Sequence, residues 1–115
     1  MSERDLNNTV TPNPKLAIDY CGIKMKNPII AASGTFGNGL EYAGYLDLSN
    51  EVGAISVKGL TPKGRHGNPG TRIAETPSGV LNCIGLENPG AEYFVTDILP
   101  DLKKYDVPLL ANMSA

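Results

Sequence analysis

Leu16-Ala-Ile-Asp-Tyr20 alternates apolar and polar residues, Cys21-Gly22 interrupts, and Ile23-Lys-Met25 resumes the alternation. Period two on both sides of a glycine-containing turn predicts a β-hairpin. From Asn27 onward the pattern becomes one of short unbroken apolar runs: Pro28-Ile-Ile-Ala-Ala32, Gly53-Ala-Ile-Ser-Val57 and Val107-Pro-Leu-Leu-Ala111. Runs of this kind mark strands covered on both faces, as in a parallel sheet.

Helical spacing lies between them. Residues 91–102 put Ala91, Phe94, Val95, Ile98, Leu99 and Leu102 on one face, the stripe of a helix packed on a core. Asn88 is placed to cap it with Pro89 as first helical residue, and Lys103 and Lys104 suit its negative end. Pro100 should kink or tighten it. A shorter helix is expected over residues 40–48, after a glycine-rich loop. Strand, helix, strand, helix, strand in succession predicts a parallel α/β fold. Residues 59–87 interrupt that rhythm. Thr71-Arg-Ile-Ala-Glu-Thr76 and Gly79-Val-Leu-Asn-Cys-Ile84 flank Pro77-Ser78, so a second hairpin is expected inside a loop long enough to carry function.

Composition narrows the classes. The 115 residues are 41% hydrophobic and 19% charged with net charge −2, which gives no electrostatic reason for a nucleic-acid or anionic-membrane partner. No apolar run approaches the roughly 18 residues that span a bilayer. Residues 1–14 are polar, lack the apolar centre of a signal peptide, and read as a disordered or loosely docked tail. Cys21 and Cys83 form neither a C-x-x-C pair nor a Cys/His cluster. A metal site and a disulfide framework therefore lack support, and two buried or half-buried thiols in a reducing cytoplasm are expected.

Three of the apolar runs end in polar residues: Ser33, Lys58 and Asn112. A lysine directly behind a buried strand must be paired or face a ligand, because an unpaired buried ammonium is costly. Both a structural ion pair and a ligand contact fit Lys58. The run Gly34-Thr-Phe-Gly-Asn-Gly39 follows a strand as a dinucleotide motif would, but Tyr42 stands where its third small residue belongs. The next strand also ends in Lys58 rather than a ribose-binding acid. A flexible loop is the better reading. His66, the one histidine, and Arg65 and Arg72 lie in a polar Gly-rich stretch, either solvated or facing an anion.

Asn27-Pro-Ile-Ile-Ala-Ala-Ser-Gly-Thr-Phe-Gly37, Val57-Lys-Gly-Leu-Thr61 and above all the string from Gly67-Asn-Pro-Gly-Thr-Arg through Asn82-Cys-Ile-Gly-Leu-Glu-Asn-Pro-Gly90 resemble class 1 dihydroorotate dehydrogenases. The long string resembles the 1B subgroup in particular, and the likeness runs from about Leu16 to the last residue. The resemblance implies the N-terminal portion of a (β/α)₈ barrel over residues 15–115, preceded by a β-hairpin and carrying a hairpin insertion after its second strand. A full barrel takes roughly 250 residues, so the chain is expected to be an N-terminal fragment, inactive by itself.

That family oxidises dihydroorotate to orotate on FMN in pyrimidine biosynthesis, in the cytoplasm. Carried over by position, Ser33, Lys58, Gly59 and Asn112 would contact FMN. Lys58 would also touch substrate, in an electrostatic catalytic role, and Asn82, Cys83, Ile84, Gly85 and Leu86 would form the substrate loop. The family's catalytic base is a cysteine on a later loop, beyond this chain, and Cys83 is not that base. The 1B likeness further implies an electron-transfer subunit with FAD and a 2Fe–2S cluster, NAD⁺ as acceptor, and a homodimeric or heterotetrameric parent. Rival readings are a flavin barrel acting on another pyrimidine, as in dihydropyrimidine dehydrogenase, and an inactive truncated gene product.

Overall fold

A computed structural model describes residues 10–114. Most of the expected tail, residues 1–9, lies outside the described residues. Pro14–Leu16 already forms a 3₁₀ turn, capped by the Asn13 side chain, which accepts from the Lys15 N–H.

Ile18–Tyr20 (β1) and Ile23–Met25 (β2) pair antiparallel as the alternation predicts. Cys21 and Gly22 make the turn at φ 53° and 87°, the left-handed pair that a two-residue hairpin requires. The Asp19 carboxylate pairs with Lys24 at 2.5 Å and accepts the Gly22 N–H at 2.7 Å. Those two contacts, Lys24 first, hold it below the usual carboxylate range. Both cysteines are exposed, against the expectation of buried or half-buried thiols. Cys21 occupies the outward tip of a turn and Cys83 lies at the open end of a surface hairpin.

The three apolar runs become Ile30–Ala31 (β3), Ala54–Leu60 (β4) and Leu109–Met113 (β7), one parallel sheet in the order β3-β4-β7. β4 is central, and its Ile55, Val57 and Leu60 join Leu48, Val52, Phe94, Leu102 and Val107 in the core. The edge strands are less covered than their apolar sequences suggest. Ile29 and Ile30 are exposed and Leu109 and Leu110 only half-buried, because each edge has a sheet neighbour on one side only.

β4 contains an irregularity that determines how its side chains face. Ser56 pairs with Leu110 and Gly59 with Asn112, so three steps along β4 match two along β7. The extra residue is a β-bulge, which breaks strict alternation and re-aims the side chains beyond it. Val57 and then Leu60 face the core, while Ser56, Lys58 and Gly59 remain half-buried.

The helix expected over 40–48 is reduced to one 3₁₀ turn, Leu40–Tyr42, followed by further turns. Gly39 and Gly44 weaken helix there, and Asp47 accepts the Ser49 N–H in a local turn, the side-chain competition that disfavours helix interiors. Leu48 is nonetheless fully buried.

The second helix runs over residues 91–102, as its periodicity predicts, in three contiguous stretches (together α2): α-helical Ala91–Tyr93, π-helical Phe94–Ile98 and α-helical Leu99–Leu102. Pro100 explains the π stretch. Its ring would press on the Thr96 carbonyl in a regular α-helix, and the Leu99 N–H instead reaches back five residues to the Phe94 carbonyl. The kink is thus absorbed as a wider turn. The start differs from expectation: Gly90 is the N-cap, at φ 94°, and Asn88 and Pro89 precede the helix.

Between β4 and α2 the chain makes a long excursion whose two arms are zipped together. Arg65 and Asn88 exchange backbone hydrogen bonds at 2.8 and 3.0 Å, the Asn68 N–H donates to the Ile84 carbonyl at 2.9 Å, and the Cys83 N–H to the Arg72 carbonyl at 2.8 Å. Beyond them Ile73–Thr76 (β5) and Gly79–Asn82 (β6) form an antiparallel hairpin.

Candidate functional site

The C-terminal ends of three adjacent parallel strands bring Ser33, Lys58 and Asn112 to one edge of the sheet. Ser33 does not lie within β3. It opens a four-residue helical turn, Ser33–Phe36 (α1), two residues after the strand. Lys58 lies at the bulge of β4, and Asn112 pairs with Gly59 across the β4–β7 ladder. Ser33 and Lys58 are half-buried and Asn112 is exposed.

A structural ion pair and a ligand contact are the two readings of Lys58. The ion pairs formed by lysine or arginine among the described residues involve Lys24, Lys26, Arg72 and Lys104, not Lys58. Its backbone N–H is held by the Asn38 side chain, whose Oδ1 accepts it at 3.1 Å. The strand is therefore fixed while the ammonium stays available at the sheet edge. Asn38 was legible in the sequence only as part of a glycine-rich loop.

The segment 82–86 reaches this edge from the excursion. Gly59 is where the two meet: a β-carbon there would lie 2.8 Å from Leu86 Cδ1 and 3.8 Å from Asn112 Nδ2. A β-carbon at Gly59 would push the tip of Leu86 off the strand beside the Asn112 amide. Leu86 itself sits at φ 56°, a left-handed conformation that costs a branched residue of this kind roughly 1 kcal/mol or more and persists only where neighbours impose it. Asn88 is one such neighbour, donating from Nδ2 to the Leu86 carbonyl at 2.8 Å. Its Oδ1 meanwhile accepts from the Thr61 N–H, the Thr61 hydroxyl and the Gly90 N–H. A buried amide thus joins the end of β4, the loop and the start of α2. Asn82, Cys83 and Ile84 lie farther out, at the base of the hairpin. The structure brings Leu86 to the strand ends and leaves Asn82 and Cys83 exposed.

Arg72 is occupied rather than available to an anion. Its guanidinium donates to the Asn68 carbonyl at 2.5 Å, to the His66 carbonyl at 2.6 Å and to Glu87 Oε2 at 2.8 Å. His66 and Arg65 are exposed in the arm beside it. The Arg72–Glu87 and Thr61–Asn88 ties join positions 15 and 27 residues apart, which local sequence pattern does not signal.

The hydroxyl, ammonium and amide along the sheet edge form a donor set matched to a flat heterocycle with polar edges. No helix of the described residues is long and apolar enough to cross a membrane.

The family model described as dihydroorotate dehydrogenase matches residues 15–115. Catalytic subunits named dihydroorotate dehydrogenase B (NAD(+)) are similar throughout: that of Maridesulfovibrio salexigens is 55% identical over 100 residues, 87% of this chain and 32% of that protein. Those of Enterococcus faecalis and Brachyspira hyodysenteriae are 53% identical over 103 residues and 51% over 100, covering 89% and 87% of this chain and 32% of each relative. The chain spans about a third of the length of these curated relatives.

Proposed function

The chain belongs to the dihydroorotate dehydrogenase family, and from that premise we propose that the full-length protein oxidises dihydroorotate to orotate on FMN. The family's fold is a TIM-barrel-like α/β architecture. In this reading β3, β4 and β7 are three neighbouring barrel strands, residues 15–115 are the N-terminal third of that barrel, and β5–β6 is the insertion after its second strand. Active sites of such barrels lie at the C-terminal ends of the strands, where Ser33, Lys58 and Asn112 stand.

FMN, when bound, would supply the hydride acceptor for the oxidation. Ser33, the Gly59 backbone and Asn112 would hold that group, and Lys58 would place a fixed positive charge beside it where negative charge develops. Asn82, Cys83, Ile84, Gly85 and Leu86 cover the substrate, with the polar groups of Asn82 serving the pyrimidine edge and Leu86 excluding water above Gly59. The base that takes the substrate proton comes from a loop beyond residue 115. The relatives are named catalytic subunits of an NAD(+) enzyme, which supports an assembly with a partner subunit; in this reading that subunit carries FAD and a 2Fe–2S cluster and passes the electrons to NAD⁺.

The observation that carries the reading is the contact of Leu86 with Gly59 beside Asn112, because it joins the loop to the strand ends. The test is Lys58→Ala in the full-length, flavin-loaded protein, followed by stopped flow. Flavin reduction by dihydroorotate is expected to slow about 10²–10³-fold, as for other removed transition-state charge contacts. A rate within a few-fold of wild type removes Lys58 from the mechanism. Absence of dihydroorotate-dependent reduction in the wild type removes the substrate.

A further inference from the structure

We infer that Asn68 is the positioning residue of the substrate loop, setting the conformation of residues 83–85 before substrate arrives. The inference rests on the reading of 82–86 as the substrate loop and deepens it. Asn68 lies on the opposite arm, 15 residues from Cys83, and reaches the loop three times. Its Nδ2 donates to the Cys83 carbonyl and to Cys83 Sγ, each at 3.0 Å, and its backbone N–H donates to the Ile84 carbonyl at 2.9 Å.

The next residue makes the third side of the contact. Gly85 is at φ 82°, and a β-carbon on it would lie 2.6 Å from the Asn68 N, Cγ and Oδ1. The loop backbone is therefore pressed directly against Asn68. Asn68 is in turn immobilised by Arg72, whose Nε donates to its carbonyl at 2.5 Å while Nη1 donates to Glu87 Oε2 at 2.8 Å. Two consecutive loop carbonyls, Cys83 and Ile84, are thus turned toward the Asn68 arm, which leaves the other side of the loop for ligand. Asn68 reaches none of Ser33, Lys58 or Asn112 through these bonds, so it acts through the loop and not on the reacting atoms.

Removing its amide leaves the loop to sample other conformations, and substrate must then select the competent one. The expected signature is a raised KM with little change in kcat, since the penalty falls on binding. Asn68→Ala and the isosteric Asn68→Asp, which keeps the shape but loses the donor to Cys83, are made in the full-length, flavin-loaded protein. Cys83 supplies a second readout that needs no substrate. Its alkylation by iodoacetamide is followed by peptide mass spectrometry, with exposed Cys21 as internal control.

Both variants are expected to raise KM for dihydroorotate about tenfold or more with kcat within about threefold. Cys83 alkylation should change several-fold and Cys21 alkylation should not. A KM within twofold of wild type in either folded variant overturns the proposal, as does a fall in kcat at unchanged KM. If wild type itself does not turn over dihydroorotate, the functional reading fails. The alkylation arm then decides alone, and unchanged Cys83 reactivity in the variants overturns the loop-positioning role.

Discussion

β4 and the β5–β6 hairpin draw on similar residues and end in opposite environments. Ala54, Ile55 and Val57 of β4 are completely buried, whereas all eight residues of the hairpin strands are exposed, Ile73, Val80 and Leu81 by 60–65%. Apolar, β-prone side chains are therefore not what places a strand in the core. β4 has a parallel neighbour on each edge, with Leu48, Phe94 and Leu102 packed around its buried side chains. The hairpin has one partner strand and no covering layer. It is held by its ladder and by the polar ties at its base, through Asn68, Arg72 and Asn88. One region depends on apolar burial, which is non-directional, and the other on hydrogen bonds, which fix geometry. A loop that must present particular groups to a ligand is suited to the second kind of support.

The sharpest way to break this contrast is Ile55→Ala. Truncating a fully buried side chain at the centre of the sheet should destabilise the full-length protein by about 2–5 kcal/mol, read from denaturant unfolding. A loss under about 1 kcal/mol would mean that β4 is not the strand on which packing depends.

Asn88→Ala tests the polar side and should cost less, about 1–3 kcal/mol. It strips the Thr61 and Gly90 N–H groups of a buried acceptor and frees the Leu86 carbonyl. Faster amide exchange at Thr61 and Gly90 is the expected local signature, and unchanged protection there would remove Asn88 from its place as the junction.

Leu81→Ser should have the smallest effect, within about 0.5 kcal/mol, as for exposed positions generally. A loss above about 1 kcal/mol would show that the hairpin is covered in the full-length protein. The contrast with β4 would then belong to residues 10–114 alone.

The sequence carries these regions unequally. The stripe from Ala91 to Leu102 marks α2 along its whole length because Phe94, Ile98, Leu99 and Leu102 pack on the same core, although Val95, placed on that face by its spacing, is 57% exposed. The alternation around Cys21-Gly22 likewise marks β1 and β2. Residues 40–48 mislead: their apolar spacing reflects the burial of Leu48, which a chain of turns achieves as well as a helix does. The bulge of β4 has a faint trace in apolar residues at 55, 57 and 60 instead of 55, 57 and 59. At the sheet edge, Ser33, Lys58 and Asn112 are legible because each follows or ends an apolar run. Asn38, Asn68 and Asn88 act through hydrogen bonds to partners 15 to 27 positions away. A one-dimensional pattern holds no record of such pairings.

The bulge in β4 makes the length of this strand a stricter constraint than the identity of most of its residues. Upstream of it the odd-numbered positions, Ile55 and Val57, face the core; beyond it the even-numbered Leu60 does. Deleting Val57 would put Lys58 in the slot among Leu48, Phe94 and Leu102, with an ammonium where a methyl group belongs. Inserting a residue there would shift Gly59 out from under Leu86 and bring a side chain against it. Substitutions along β4 can be graded by volume and polarity, but a one-residue change in count between Ser56 and Leu60 exchanges inside for outside. Comparisons among relatives aligned with a gap at that point would therefore misplace the lysine, and a chimera spliced there needs its junction counted from the bulge rather than from the strand ends.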